Sequence, residues 1–262
     1  MQIVRFQTRE LAPQYGWKQD NVIGRMDGSP FCGYQRLQAE YPLERVQLLA
    51  PVIPGKIVCV GKNFPEHAVE MKSESPKNPI LFMKPPTAVI GPGKPIVLPP
   101  QSNQVEYEGE LAIVIGKQGR WIPTDQVREH ILGFSIAIDV TARDIQQADG
   151  QWTRAKGFDT FCPLGPWIET DFNPFDALIT THINGQLRQM ASTRDMTFSP
   201  HQLVAFISSI MTLESGDVIL TGTPAGVGTL ADGDVVRVSI EGIGELITPV
   251  VKGSIGLGYW GI

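Results

Sequence analysis

Cysteine is scarce in this 262-residue chain, which holds only Cys32, Cys59 and Cys162. They are scattered, odd in number and without CxxC spacing, so a disulfide framework is excluded and a reducing compartment with incidental thiols is expected. Long apolar runs are also missing. None reaches the ~18 residues of a membrane span. The opening "MQIVRFQTRE" alternates and carries charge, with no apolar region after a basic start, so no secretory signal is expected and the cytoplasm is the default location. Basic charge is not concentrated anywhere. The net charge is −5 with no basic stripe, which argues against nucleic acid as a partner. The glycine-rich "GTPAGVG" lacks the Gly-Lys-Ser/Thr end of a phosphate loop, and nucleotide binding is rejected with it.

Glycine and proline, by contrast, are plentiful at 27 and 21 residues, which suits short strands and many turns. Residues 1–50 read as strands and turns and form a small N-terminal β-rich domain; 51–262 form the body. "KIVCVG", "PILFMKPPTAVIGPGKPIVLPP", "FSIAIDV", "DVILTGTPAGVG", "DVVRVSI" and "GELITPVV" read as strands and turns. "DALITTHINGQLRQ" predicts a hairpin about Asn184-Gly185. Helical signals are few. "TDQVREHILG" is helix-like, and "TARDIQQADGQW" is loop or short helix. In "NFPEHAVEMK", Asn63 and Glu66 make a capping-box pattern. "SPHQLVAFISSIMTLESGD" predicts a helix capped by Ser199 and Gln202, apolar along Leu203, Phe206, Ile207, Ile210 and Met211, and ended by Gly216. The fold class is α+β, rich in strands.

One stretch conflicts with its surroundings. "VEYEGELAIVIG" reads as a buried strand, yet Glu106, Glu108 and Glu110 alternate along it. On a continuous strand all three leave one face, in line with Ala112 and Val114. Same-face neighbours lie about 6.6–6.8 Å apart, and two such charges repel by roughly 2.5 kcal/mol at an effective dielectric of ~20. Either the strand end is solvated, or a divalent cation turns repulsion into attraction. Asp139, which ends "FSIAID", is either a cap or a third ligand; spacing does not join it to the glutamates. His67 and Glu70, at i and i+3, share a helical face. They make either a surface pair or a base with its orienting carboxylate.

"YEGELAIVIG", "IDVTARDIQ", "RAKGFDTFCPLGPW", "INGQLRQ" and "LTGTPAGVG", in this order, resemble the fumarylacetoacetate hydrolase superfamily over about residues 55–250. The opening segment also resembles the small N-terminal domain of bacterial members. The resemblance implies a mixed β-sandwich roll and a Mg²⁺ or Mn²⁺ site at Glu108, Glu110 and Asp139. It leaves Glu106 as a supporting or solvated carboxylate. It makes His67 and Glu70 a water-activating dyad; Gly61 before their helix and the polar "KSESPKN" after it leave little apolar surface to pin it down, so a mobile lid is expected. Lys156 would face the substrate's oxyanion or carboxylate, and Gln146 and Thr223 would contact substrate. Arg143 and Lys84 would steer an acidic substrate or simply form ion pairs. His130, His182 and His201 are left as structural or surface residues.

The implied reaction is hydrolysis of a carbon–carbon bond in a 2,4-dioxo acid of the acylpyruvate type, through a metal-stabilised enolate. Two alternatives share those residues: decarboxylation or tautomerisation of oxaloacetate, and isomerisation of a 2-hydroxyhepta-2,4-diene-1,7-dioate. A non-catalytic metal-binding member is the reading of another class. A homodimer is expected on the same resemblance.

Overall fold

The computed structural model describes residues 1–254; positions 255–262 of the expected body lie outside the described residues. Strands dominate, as expected of a strand-rich α+β chain, and they assemble into three sheets among the described residues. The four α-helices among the described residues are α1 (Pro65–Glu70), α2 (Arg143–Asp149), α3 (Thr153–Lys156) and α4 (Pro200–Ile210).

The largest sheet begins as an antiparallel meander of Gln2–Gln7, Gln14–Gln19, Val22–Ser29 and Gly33–Pro42. It continues without a break, because Gln2 and Ile3 pair with Glu169 and Ile168 of the Cys162–Glu169 strand. Beyond that edge follow Ile131–Ile138, Gly109–Ile115, Val218–Leu220, Ile57–Gly61 and Ile80–Lys84. The second sheet runs Gln186–Ser192, Leu178–Ile183, Val235–Ile240, Gly244–Lys252 and Ile96–Leu98.

Gly109–Ile115 lies at the centre and is buried along its whole length. Its odd positions Leu111, Ile113 and Ile115 pack with Ile179, Val236, Val238 and Leu246 of the second sheet and with Leu203, Val204 and Ile207 of α4. Its even positions Ala112 and Val114 pack on Ile57, Cys59, Cys162 and Leu164. Both faces are therefore apolar, which is why "LAIVI" shows no alternation.

Several local expectations change. The glutamate stretch is not one strand. Val105–Tyr107 pairs with Thr141–Ala142 and Gly228–Thr229 in a third, small sheet, and the chain leaves that sheet at Glu108. Gly109 permits the close packing, since a Cβ there would stand 2.3 Å from Thr181 Oγ1. The Glu108 carbonyl accepts the Asp139 N–H at 2.8 Å, which joins the two strand ends.

"TDQVREHILG" forms only a 3₁₀ turn, Val127–His130, because the largely apolar run from Ile131 onward is claimed by pairing with Gly109–Ile115. The Asn184-Gly185 hairpin forms, with both residues at positive φ (52° and 80°). In α4 the Ser199–Gln202 capping box forms as read. Its buried stripe, however, is Leu203, Val204, Ile207 and Ser208, while Phe206 is half-buried and Ile210 exposed. Ser208 turns inward because its hydroxyl accepts the Ile122 N–H at 2.9 Å. The helix stops at Ile210, and Gly216 (φ 90°) instead shapes the turn into Val218–Leu220.

All three cysteines are free, two of them buried. Among the described residues no helix is long and apolar enough to cross a membrane.

Candidate active site

Two strand ends meet beneath α1. Glu108 and Glu110 leave the start of Gly109–Ile115, and Asp139 follows the end of Ile131–Ile138; the pairing of Gly109 with Ile138 brings them together. One oxygen from each of the three carboxylates can be chosen so that all lie within 4.8 Å of one another, and all three residues are buried. The solvated reading of this strand end is thereby removed for Glu108 and Glu110.

Cations surround the cluster. Lys156, at the end of α3, places Nζ 2.9 Å from Glu108 Oε2 and 2.7 Å from Asp139 Oδ2. Lys84 Nζ donates to the other Asp139 oxygen at 2.6 Å and to the Val140 carbonyl at 3.0 Å. Of the two readings of Lys84, the ion pair is the one realised. Arg143, the first residue of α2, spans Glu106 (Nε, 2.7 Å) and Glu108 (NH2, 2.6 Å), and donates to Gln146 Oε1 at 2.7 Å. Glu106 is thus buried and paired through Arg143 to Glu108, rather than solvated. Gln146 receives that bond on its carbonyl, which leaves its NH₂ for another acceptor.

Burial pushes the Glu108 carboxyl up, but Lys156 and Arg143 outweigh it and hold it well below the usual carboxylate range. Glu110 behaves oppositely. Burial first, then the charges of Asp139 and Glu108, raise it well above that range, against Lys156 and the Gly222 N–H. The cluster therefore carries more carboxylate than its own cations neutralise, and one member favours a proton. Burial opposes charge on Lys156 as well, but Asp139 and Glu108 more than offset it and keep the ammonium protonated.

The fit to a divalent cation is good on the donor set alone. Three converging buried carboxylates are hard oxygen donors suited to Mg²⁺ or Mn²⁺. Each oxygen has two acceptor directions, so the ion pairs leave directions open for an ion.

α1 lies over this cluster. Its cap differs from the expected capping box: Phe64 is the N-cap without a side-chain bond. Asn63 is used elsewhere, donating to the Phe198 and Thr221 carbonyls and accepting the Phe198 N–H. The helix is held by buried Phe64 and Ala68, while Glu66 and Val69 face outward. His67 is buried, with Nδ1 2.9 Å from Glu70 Oε2. Glu70 Oε1 accepts the Gly226 N–H at 3.0 Å.

The loop after Val218–Leu220 completes the site. Gly222 N–H donates to Glu110 Oε2 at 2.6 Å, and Thr223 Oγ1 donates to the Gly109 carbonyl at 2.9 Å. Gln189, buried in the second sheet, bonds Gly109 N–H, Thr223 Oγ1 and the Pro224 carbonyl.

His67, Glu108, Glu110, Arg143, Gln146, Lys156 and Thr223 all line one cavity of about 190 Å³. Glu70 stands behind His67, and Asp139 is fully buried beneath. His130, His182 and His201 do not line it. Residues the sequence did not single out are there too: Lys62, Met71, and the Phe82–Trp152 edge-on pair. Gln189 lay within a quoted motif, but nothing local marked it as a clamp.

Residues 56–251 match the fumarylacetoacetate (FAA) hydrolase C-terminal model, and residues 1–51 match an Rv2993c-like N-terminal model. The chain belongs to the fumarylacetoacetate hydrolase family. Family members include isomerases, tautomerases and hydrolases, and the family is generally dependent on a divalent metal. The fumarylacetoacetate hydrolase relatives of this chain include Protein Rv2993c of Mycobacterium tuberculosis, 54% identical over 215 residues and 81% of each chain. The mitochondrial oxaloacetate tautomerase Fahd2a of Rattus norvegicus is 43% identical over 230 residues, 82% of this chain and 74% of that one. A crystal structure of 2-hydroxyhepta-2,4-diene-1,7-dioate isomerase from Mycobacterium marinum is 44% identical, with a TM-score of 0.89 over 97% of this chain and 100% of that one.

Proposed function

We propose that this protein is a divalent-metal enzyme that moves a proton on the carbon next to the carbonyl of a 2-oxo acid. The observation that carries the reading is that His67, backed by Glu70, opens on the same cavity as Glu108 and Glu110, with Asp139 directly beneath. A base and a charge-stabilising cluster on one small cavity are what enolisation needs.

Glu108, Glu110 and Asp139 would hold Mg²⁺ or Mn²⁺, which would polarise the carbonyl and stabilise negative charge on its oxygen. The protein's own groups do the rest. The Gln146 NH₂ and the Arg143 guanidinium receive the carboxylate. Lys156, kept protonated by Asp139 and Glu108, supplies a fixed positive charge at the cavity wall. His67 takes the proton at Nε2, because Nδ1 is turned to Glu70. Glu70 fixes that orientation and favours the imidazolium that forms. Returning the proton to oxygen or to a different carbon gives tautomerisation or isomerisation, the reactions named for the rat and M. marinum relatives.

Hydrolysis of a 2,4-dioxo acid is the second reading. An imidazole oriented by a carboxylate activates water as readily as it takes a proton from carbon, so the His67–Glu70 pair serves both.

The test is an ultraviolet assay of enol–keto conversion of oxaloacetate beside an assay of acetylpyruvate cleavage, each with and without Mg²⁺. Metal-dependent acceleration of the first supports proton transfer; acceleration of the second alone supports hydrolysis. His67→Ala is expected to lower the rate by ~10²–10⁴-fold while Mn²⁺ binding stays unchanged. A wild-type rate in that variant, or loss of its metal, removes His67 from this role.

A further inference from the structure

Gln189 ties three separate segments together. It stands on Gln186–Ser192, the edge strand of the second sheet, where Leu187, Arg188 and Met190 are exposed while Gln189 itself is buried. Its amide is fully used. Oε1 accepts the Gly109 N–H at 3.1 Å, and Nε2 donates to Thr223 Oγ1 at 2.8 Å and to the Pro224 carbonyl at 2.7 Å. An N–H needs an acceptor and a carbonyl needs a donor, so only this orientation of the amide satisfies both ends.

Gly109 needs this support. Ladder pairing of Gly109–Ile115 with Val218–Leu220 stops at Ala112. One step further, the Thr221 N–H still reaches the Leu111 carbonyl at 3.1 Å. At Gly109 the same edge is held by side chains instead: Gln189 takes the N–H, and the Thr223 hydroxyl donates to the carbonyl at 2.9 Å. The Thr181 hydroxyl also packs against Gly109, but among the described residues it has no hydrogen-bond partner and does not share the load. Gly109 is the residue between Glu108 and Glu110. Gln189 therefore fixes the peptide that leads from Glu108, and Thr223, which Gln189 holds, fixes the peptide that leads to Glu110. The orientation of these two peptides sets the directions in which both glutamate side chains leave the chain.

We propose that Gln189 is a positioning residue of the carboxylate cluster: by fixing the peptides on either side of Gly109 it sets the spread of Glu108 and Glu110, and with it the relative affinity for small and large divalent cations. The inference rests on the metal reading above. Gln189 does not line the cavity, so it acts through Gly109 and Thr223. Mg²⁺ demands near-octahedral oxygen donors at about 2.0–2.1 Å, whereas Ca²⁺ accepts a looser shell at about 2.3–2.6 Å. Carboxylates that converge within 4.8 Å of one another serve the small ion only while their backbone is held in place; a cluster free to spread still serves the large one.

The test is calorimetric titration of metal-stripped wild type and Gln189→Met with Mg²⁺, Mn²⁺ and Ca²⁺, well below both thermal midpoints. Methionine keeps the length of the side chain and removes all three bonds. Affinity for Mg²⁺ and Mn²⁺ should fall by ~10–100-fold, the usual cost of losing a group that orients a ligand. Ca²⁺ affinity should change little, so the Mg²⁺-to-Ca²⁺ affinity ratio falls as well. A residue that only ties the sheets together would lower the thermal midpoint and leave that ratio alone. If Gln189→Met does not fold, Thr223→Val, which releases the Gly109 carbonyl, takes its place and should lower the same ratio. An unchanged ratio, whether the affinities hold or fall together, overturns the role of Gln189 and leaves the metal site standing. Failure of wild type to bind any of the three ions overturns both.

Discussion

The backbone N–H of Gly226 donates to Glu70 Oε1 at 3.0 Å, so the carboxylate behind His67 is held by the loop that also reaches Glu110. Tyr107 fastens the other side of the Gly226 residue, donating its hydroxyl to the carbonyl at 2.9 Å. Burial pushes that phenol up to about 12, so it stays a donor at neutral pH. The loop thus couples base and carboxylate cluster. Tyr107→Phe should lower stability by about 0.5–1.5 kcal/mol, the usual net worth of one hydrogen bond. It should also lower kcat, because the Gly226 N–H that holds Glu70 is less firmly placed. A thermal midpoint change with an unchanged kcat would restrict Tyr107 to a structural part.

Removing one cluster carboxylate should cost metal. Glu108→Gln and Glu110→Gln are each expected to weaken Mn²⁺ binding beyond the ~10–100-fold typical of losing a supporting partner. Glu106→Gln, which disturbs only the Arg143 bridge to Glu108, should fall within that range. Titration calorimetry of the three variants gives the order directly, and equal losses at all three would be the contrary result.

In metal-free protein the contribution of Glu110 to stability should fall as pH rises, opposite in sign to that of Glu108. The Glu110 carboxyl is raised in the folded state, by burial and by Asp139 and Glu108, so folded protein binds more proton than unfolded protein. Its stabilising contribution is complete below the unfolded carboxyl value of about 4.3 and fades as pH climbs through the folded value. The difference in thermal midpoint between wild type and Glu110→Gln, followed from acid to neutral pH, tests the sign. Mn²⁺ binding at neutral pH should release a proton, visible as a dependence of the apparent enthalpy on the buffer's ionisation heat.

A homodimer is expected. The 28.7 kDa chain should sediment at twice that mass at micromolar concentration. Exposed apolar side chains such as Met83, in "LFMKPP", are available to an interface. A monomer at that concentration would count against it.

The amino-acid sequence by itself determined the ingredients. The apolar "LAIVI" and "FSIAI" runs specified central strands, Ser199 and Gln202 specified the start of α4, and Asn184-Gly185 specified a hairpin, because each signal acts within a few residues. The i, i+3 spacing of His67 and Glu70 and the i, i+2 spacing of Glu108 and Glu110 were legible for the same reason. Local rules failed where a distant segment outbid them. Asn63 left its helix to bond Phe198 and Thr221, and Ile131 onward left a helical reading to pair with Gly109–Ile115. Only tertiary structure decided that Asp139 meets the two glutamates, that Glu106 is spent on Arg143, and that Gln189 pins Gly109 to the Thr223 loop. Those outcomes depend on which strand ends share an edge and which side chains find partners far away in sequence. No spacing along a chain encodes either.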